Sequence, residues 1–199
     1  ARYYMTNKVF SYVSFFWISI STVLLIVGCS TDKDAWINRS YHNTTAKYNG
    51  YFNAGEIIYE AMESHSETRV EDYSEIIPVF EYANEIESKS LYPAMDTAAK
   101  KCESVISRHS MPAEKKGQYR KTEWCKWIDD NWLMIGKSQF YKRNFDDALK
   151  NFKYVEKQYS NRTIKYHAIL WKAKTLIELE LFNDAEDLLK ELIEGEEEF

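Results

Sequence analysis

An all-α chain of stacked helical hairpins is the fold class this sequence predicts, and three observations predict it. Apolar residues recur at three- and four-residue steps from Tyr48 to Ile193, the period of one helix face. Comparing the chain with itself at an offset of 37 matches Gly136 with Ala173, Phe145 with Phe182, Asp147 with Asp184, Ala148 with Ala185, Phe152 with Leu189 and Val155 with Leu192. No stretch alternates apolar and polar residues as a half-buried strand does, and the chain holds only 6 Gly and 3 Pro to punctuate it. The 199 residues carry 26 basic and 31 acidic side chains, a formal charge of −5 spread along the chain. That balance excludes an electrostatic nucleic-acid binder, which needs a cationic face to displace phosphate counterions. Three cysteines are too few for a disulfide scaffold and too far apart for a zinc knuckle.

The elements follow in order. Met5-Thr6-Asn7-Lys8 precedes an uncharged run from Val9 to Val27 that includes Phe15, Phe16, Trp17, Leu24 and Leu25, the pattern of an export signal. At roughly 19 residues the run also suffices to span a bilayer, so an uncleaved transmembrane helix is the alternative. Ile26-Val27-Gly28-Cys29 resembles the lipobox of bacterial lipoproteins: a small residue sits before the scissile bond and a thiol after it carries the diacylglycerol. This resemblance implies that residues 1–28 are a signal peptide and that Cys29 is the lipidation site. Two or three acyl chains, palmitate among them, anchor stably at about 0.8 kcal/mol per buried methylene. Removing residues 1–28 leaves 24 basic and 31 acidic residues, a formal −7.

Residues 29–43 are expected to be a lipidated tether. A first helix is expected from Thr44 to His65, with Tyr48, Tyr51, Phe52, Gly55, Ile58, Tyr59 and Met62 on one face. Residues 66–90 are acidic and hold Pro78, which argues for a long loop inserted in the first hairpin, 44–110. Pro93 suits the first turn of the next helix, whose stripe is Met95, Ala98, Ala99, Cys102, Val105 and Ile106. A third helix is expected from near Lys121, carrying Trp124, Trp127, Ile128, Trp132, Ile135 and Phe140. Further helices are expected at Asp146–Tyr159, Lys165–Leu179 and Asn183–Ile193. Residues 121–199 then hold two repeats of an array cut short at Glu194-Gly195-Glu196-Glu197-Glu198-Phe199, as in the front portion of a longer protein.

The stretch Trp132-x2-Ile135-Gly136-x3-Phe140-x4-Phe145-x2-Ala148-x3-Phe152-x2-Val155 resembles the tetratricopeptide repeat signature. Small residues at 136 and 148 let the two helices of a hairpin approach, and large ones fill the space around them. Trp132, Gly136, Phe145, Ala148, Phe152, Ala173, Phe182, Ala185 and Leu189 are therefore expected packing positions. The offset exceeds the usual spacing of about 34, and the excess is assigned to the connection around Ser160 to Lys165. A fainter unit uses Tyr51-x3-Gly55 and Ala98-x3-Cys102-x2-Val105. Stacked hairpins leave a concave groove whose ordinary use is to hold a partner protein.

No catalytic chemistry is readable. His42, His65, His109 and His167 have no partner at metal-ligand spacing, and there is no Gly-rich phosphate loop, G-x-S-x-G or H-E-x-x-H. The expectation is therefore no enzyme, no metal and no cofactor. Asp129-Asp130 and Asp146-Asp147 suit solvated faces and helix starts. Cys102 and Cys125 are read as buried thiols, with a bridge in an oxidising compartment as the alternative.

Trp36-Ile37-Asn38-Arg39-Ser40-Tyr41-His42-Asn43-Thr44-Thr45-Ala46-Lys47-Tyr48-Asn49-Gly50-Tyr51-Phe52-Asn53-Ala54, just after the lipid cysteine, resembles the start of the gliding-motility and type IX secretion lipoprotein family SprE/PorW. Ile77-Pro78-Val79-Phe80, Met95-Asp96, Ser107-Arg108-His109-Ser110 and Trp127 to Phe145 extend the likeness over most of residues 29–193. It implies an outer-membrane lipoprotein facing the periplasm, with partners in the periplasmic ring and the outer-membrane translocon of the secretion machine, and no catalytic residue to carry over. Members of that family are much longer, with many more repeats. Within the first segment Tyr41, His42, Asn43, Lys47, Asn49 and Asn53 are the candidate partner contacts, against the alternative of a capped helix with its aromatics in the core. Two other readings remain open: an outer-membrane assembly lipoprotein that receives unfolded barrel clients, and the anchor of an enzyme domain beyond Phe199.

Overall fold

The structure is a computed structural model that describes residues 16, 17, 19, 35–68, 74, 80, 82–113 and 122–196. It divides into two units, 1–39 and 40–199. In the first, Phe16, Trp17 and Ser19 are helical, and Phe16 and Trp17 are exposed. The rest of the expected signal peptide, with the lipobox and Cys29, lies outside the described residues. Among the described residues no helix is long and apolar enough to cross a membrane.

The described chain is all-helical apart from one two-residue strand pair. Its elements are α1 (Trp36–Thr45), π1 (Ala46–Phe52), α2 (Asn53–Thr68), α3 (Ser88–His109), β1 (Pro112–Ala113), β2 (Thr122–Glu123), α4 (Ile128–Tyr141), α5 (Phe145–Gln158), α6 (Ile164–Glu178) and α7 (Phe182–Glu196). From α2 onward each helix packs on the next, and α4 also touches α6. Three apolar clusters fill the spaces. Ala54, Ile58, Leu91, Met95, Ala98 and Cys102 meet Met134 and Ile135 in the first. Leu133, Phe140, Ala148, Phe152, Val155 and Ala168 form the second, and Ala46, Val105, Met111, Cys125 and Ile128 the third.

The first helix begins earlier than expected, at Trp36 rather than Thr44, so helix reaches into the stretch read as tether. Its polar sequence shows no local reason to be ordered, and distant partners supply it. His42 Nδ1 lies 2.8 Å from His109 Nδ1, and Asn43 Oδ1 accepts from the Lys126 amide at 2.7 Å. The helix then widens into π1, which changes the hydrogen-bond register and leaves carbonyls to be satisfied from outside. The buried Asn131 Nδ2 donates to Ala46 O at 3.1 Å and to Trp127 O at 2.6 Å. Gly50 permits that approach, since a Cβ there would stand 2.0 Å from Asn131 Oδ1.

Pro93 is not in the first turn of α3; it lies inside the helix. The start is displaced upstream by a reciprocal cap. Asn84 Oδ1 accepts from Glu87 N at 2.9 Å, and Glu87 Oε2 accepts from Asn84 N at 3.0 Å. The long loop is correspondingly shorter than 66–90, because Ser66–Thr68 finish α2 and Ser88 opens α3. The third helix starts at Ile128 rather than near Lys121. Thr122 and Glu123 are instead extended, pairing with Ala113 and Pro112. The Glu123 carboxylate holds them there, accepting from Ser110 Oγ at 2.6 Å, Met111 N at 2.8 Å and Cys125 N at 2.9 Å.

Helices α5, α6 and α7 each begin within a residue of expectation. A Cβ on Gly136 would fall 2.4 Å from the Phe152 ring, so α4 and α5 meet as closely as their side chains allow. Ala148, Phe152, Ala173 and Ala185 are buried, and Trp132, Phe145 and Leu189 are half-buried. Phe182 departs from its expected packing role and is 60% exposed. Its counterpart Phe145 packs against Phe140 and the cluster shared with α6, whereas no helix stacks beyond α7 among the described residues. The helices α4 and α6 end alike. Asn144 N bonds Gln139 O and Leu181 N bonds Leu176 O, each at 2.9 Å, around the left-handed residues Arg143 (φ 59°) and Glu180 (φ 61°).

Candidate functional site

The six candidate contacts of the first segment fall into two groups. His42, Asn43 and Lys47 face the protein. The two imidazoles of His42 and His109 share a short contact, Asn43 Nδ2 also donates to Trp124 O at 3.4 Å, and the Lys47 ammonium lies 5.0 Å from the Trp127 ring centre. Burial, followed by the His42 and Arg108 charges, holds His109 below the usual imidazole range. Tyr41 and Asn49 are exposed and Asn53 is half-buried. Tyr48, Phe52 and Tyr59 are each at least half exposed, while Tyr51 turns inward to Trp127 at 5.2 Å. The aromatic run is therefore neither wholly core nor wholly surface.

The structure places a second feature where the exposed end of that run meets the later helices. A groove of about 370 Å³ lies between α2, α4 and α6, lined by Tyr51, Phe52, Tyr59 and Met62 on one side and Met134, Lys137, Tyr141 and Trp171 on the other. Tyr59, Met62, Tyr141 and Trp171 also border a neighbouring space of about 540 Å³ that reaches Phe80, Tyr82 and Lys174. The geometry follows from the helical period: residues 134, 137 and 141 recur on one face of α4, as 171 and 174 do on α6. Trp171 is the hub. It meets Phe140 edge-on at 5.2 Å and Tyr141 at 5.8 Å.

Two ammonium groups flank the same indole, Lys137 at 5.0 Å and Lys174 at 4.8 Å from its centre, and Lys174 also lies 4.1 Å from the Phe80 ring centre. Burial lowers the pKa of both lysines, and on Lys137 the Lys174 charge adds to it. Among the described residues neither has a carboxylate within ion-pair distance. The acid that acts on Lys137 electrostatically is Asp130, whose own pKa burial pushes up to about 6, with the Asp129 charge second. Glu56, Glu63 and Glu67 occupy the exposed α2 rim, where Glu63 accepts from Tyr59 Oη at 3.2 Å.

The lysine pair was readable from the same 37-residue offset that relates Gly136 to Ala173, since Lys137 and Lys174 follow those residues directly. Asp129 corrects the expectation of a solvated face. It is buried at the start of α4, and Arg162 Nη1 donates to its Oδ2 at 2.8 Å, with a further Arg162 bond to Glu123 O at 3.0 Å. The Cys102 thiol is pushed up to about 12 by burial and Cys125 to about 11, chiefly by burial; they are free thiols in different apolar clusters. Among the described residues no three His, Cys, Asp or Glu side chains converge as metal ligands. No protein-family model and no curated protein matches the chain.

Proposed function

We propose that this chain is a non-enzymatic docking scaffold whose helical hairpins stack as tetratricopeptide-like repeats, an α-solenoid, and receive a partner protein on the face formed by α2, α4 and α6. The observation that carries this reading is the aromatic groove itself. It runs across the first helices of successive hairpins, where Tyr59 is exposed and Met62 and Trp171, half-buried on the core, still line open space that a partner can fill. The similarity of the Trp36-to-Ala54 segment to SprE/PorW lipoproteins supports placing the scaffold at the outer membrane, lipidated at Cys29 and facing the periplasm. Its partners on this reading are the ring and translocon of the type IX secretion machine.

Deletion of the gene tests the cellular part of the proposal. Cargo carrying the machine's carboxy-terminal sorting domains then stays inside the cell while other outer-membrane proteins keep their levels. Normal export of that cargo contradicts the reading. A general fall in outer-membrane barrels contradicts it in favour of an assembly role.

A further inference from the structure

Two half-buried lysines of this protein are ion-paired: Lys172 lies 2.6 Å from Glu156, and Lys142 lies 2.6 Å from Asp96. Lys137 and Lys174 differ from those two. Both are half-buried, both lie over Trp171, and neither has an ion pair among the described residues. The indole face attracts each ammonium and Asp130 acts on Lys137 from a distance, but the two like charges repel and burial disfavours both, costs that an anion arriving beside them offsets. The aromatic surroundings sharpen this, since a carboxylate in a partly desolvated groove interacts more strongly than one in water.

The two lysines occupy equivalent positions on α4 and α6, and with their ammonium groups 5.0 Å and 4.8 Å from the centre of the same Trp171 ring they stand at most about 10 Å apart. An extended chain rises about 3.3 Å per residue and turns every second side chain to the same face, so two carboxylates two residues apart reach both ammonium groups. The rest of the groove sets the remaining chemistry. Its α2 side offers Tyr59 and Met62 with a rim of Glu56, Glu63 and Glu67, which repels further acid and accepts apolar side chains. A polyphosphate backbone, charged along its whole length, does not suit such a wall.

We infer that the groove takes an extended segment of a partner protein in which two closely spaced acidic side chains lodge at Lys137 and Lys174 beside Trp171, while neighbouring apolar side chains cross to Tyr59 and Met62. This deepens the docking reading proposed above and rests on it.

Fluorescence anisotropy with the full chain in detergent micelles tests the inference. The probes are a labelled peptide alternating glutamate and phenylalanine, and its counterpart with glutamine for glutamate. The acidic peptide is expected to bind at least about tenfold more tightly, and the preference is expected to vanish in the Lys137→Gln/Lys174→Gln double variant and to survive in Lys137→Arg/Lys174→Arg. Comparing the two peptides on the unaltered protein needs no variant to fold. Equal binding of both peptides, reduced by Trp171→Ala, overturns the charge selection and leaves the groove as a docking face. Binding of neither peptide overturns the acidic-segment inference and removes support for docking in this groove, without touching the secretion phenotype that tests the cellular role.

Discussion

Helices α4 to α7 and the front segment α1–π1 are held by different kinds of contact. In the later helices the contacts recur. Gly136 admits Phe152, Ala173 and Ala185 are buried at the positions that correspond to Gly136 and Ala148, and Arg143 and Glu180 close two helices with the same left-handed turn. In the front segment the polar ties among the described residues do not recur; they include an imidazole pair, an asparagine bridging Ala46 and Trp127, and an asparagine holding the Lys126 amide. A recurring contact is supported by its neighbours on either side. A unique polar tie fails alone, and its failure stays local.

The largest expected effect breaks the recurring set. Phe152 is fully buried between α4, α5 and α6, so Phe152→Ala is expected to cost about 3–5 kcal/mol and lower the urea midpoint of helices α4 to α7 together. A loss below about 1 kcal/mol contradicts the packing described. Next in size, Asn131→Ala leaves the Ala46 carbonyl without its side-chain donor and opens a small cavity, at about 1–3 kcal/mol. Amide hydrogen exchange is expected to show lost protection confined to residues 46–52 and the end of α1. Uniform loss through α4 to α7 contradicts the division between the two regions.

A pH titration sharpens the same division. His109 is held below the ordinary imidazole range by burial first and by the His42 and Arg108 charges after it. The unfolded chain therefore takes up the proton at a higher pH than the folded one. The stability held above about pH 6.5 is lost as pH falls toward the depressed pKa. The α1–α3 contact is expected to loosen over that window, read as faster exchange in α1, and His109→Gln is expected to flatten the dependence. The smallest effect is Glu180→Gly. A non-glycine residue with positive φ is strained, and Glu180 makes no ion pair among the described residues, so the change is expected to stabilise by up to about 1 kcal/mol, read as a small rise in Tm.

The same contrast explains what the amino-acid sequence disclosed. Helices α5 to α7 were legible because periodic apolar positions and a repeat offset are written locally and written twice. The start of α1 was not, because Ser40-Tyr41-His42-Asn43 is ordered by partners on α3 and the β2–α4 connection, far away in the chain. Nor was the β1–β2 pair, which depends on three hydrogen bonds to one Glu123 carboxylate. The Asn84–Glu87 cap is written in the sequence as a capping pattern, but Pro93 nine residues on is the stronger local signal for a helix start. Within the candidate site, the exposed aromatics stood in the first segment, whereas the lysines that complete the groove belong to α4 and α6 and take meaning only once Trp171 is placed between them.

The most direct measurement of the central claim is site-specific photo-crosslinking in living cells, with a photoreactive phenylalanine analogue at Tyr59 in the groove and, in parallel, at Tyr166 on the other side of α6. The proposed docking of a secretion-machine component on the α2–α4–α6 face predicts a crosslink from position 59 to a ring or translocon protein of a type IX machine, and none from position 166. Crosslinks from position 166 with none from position 59 contradict it.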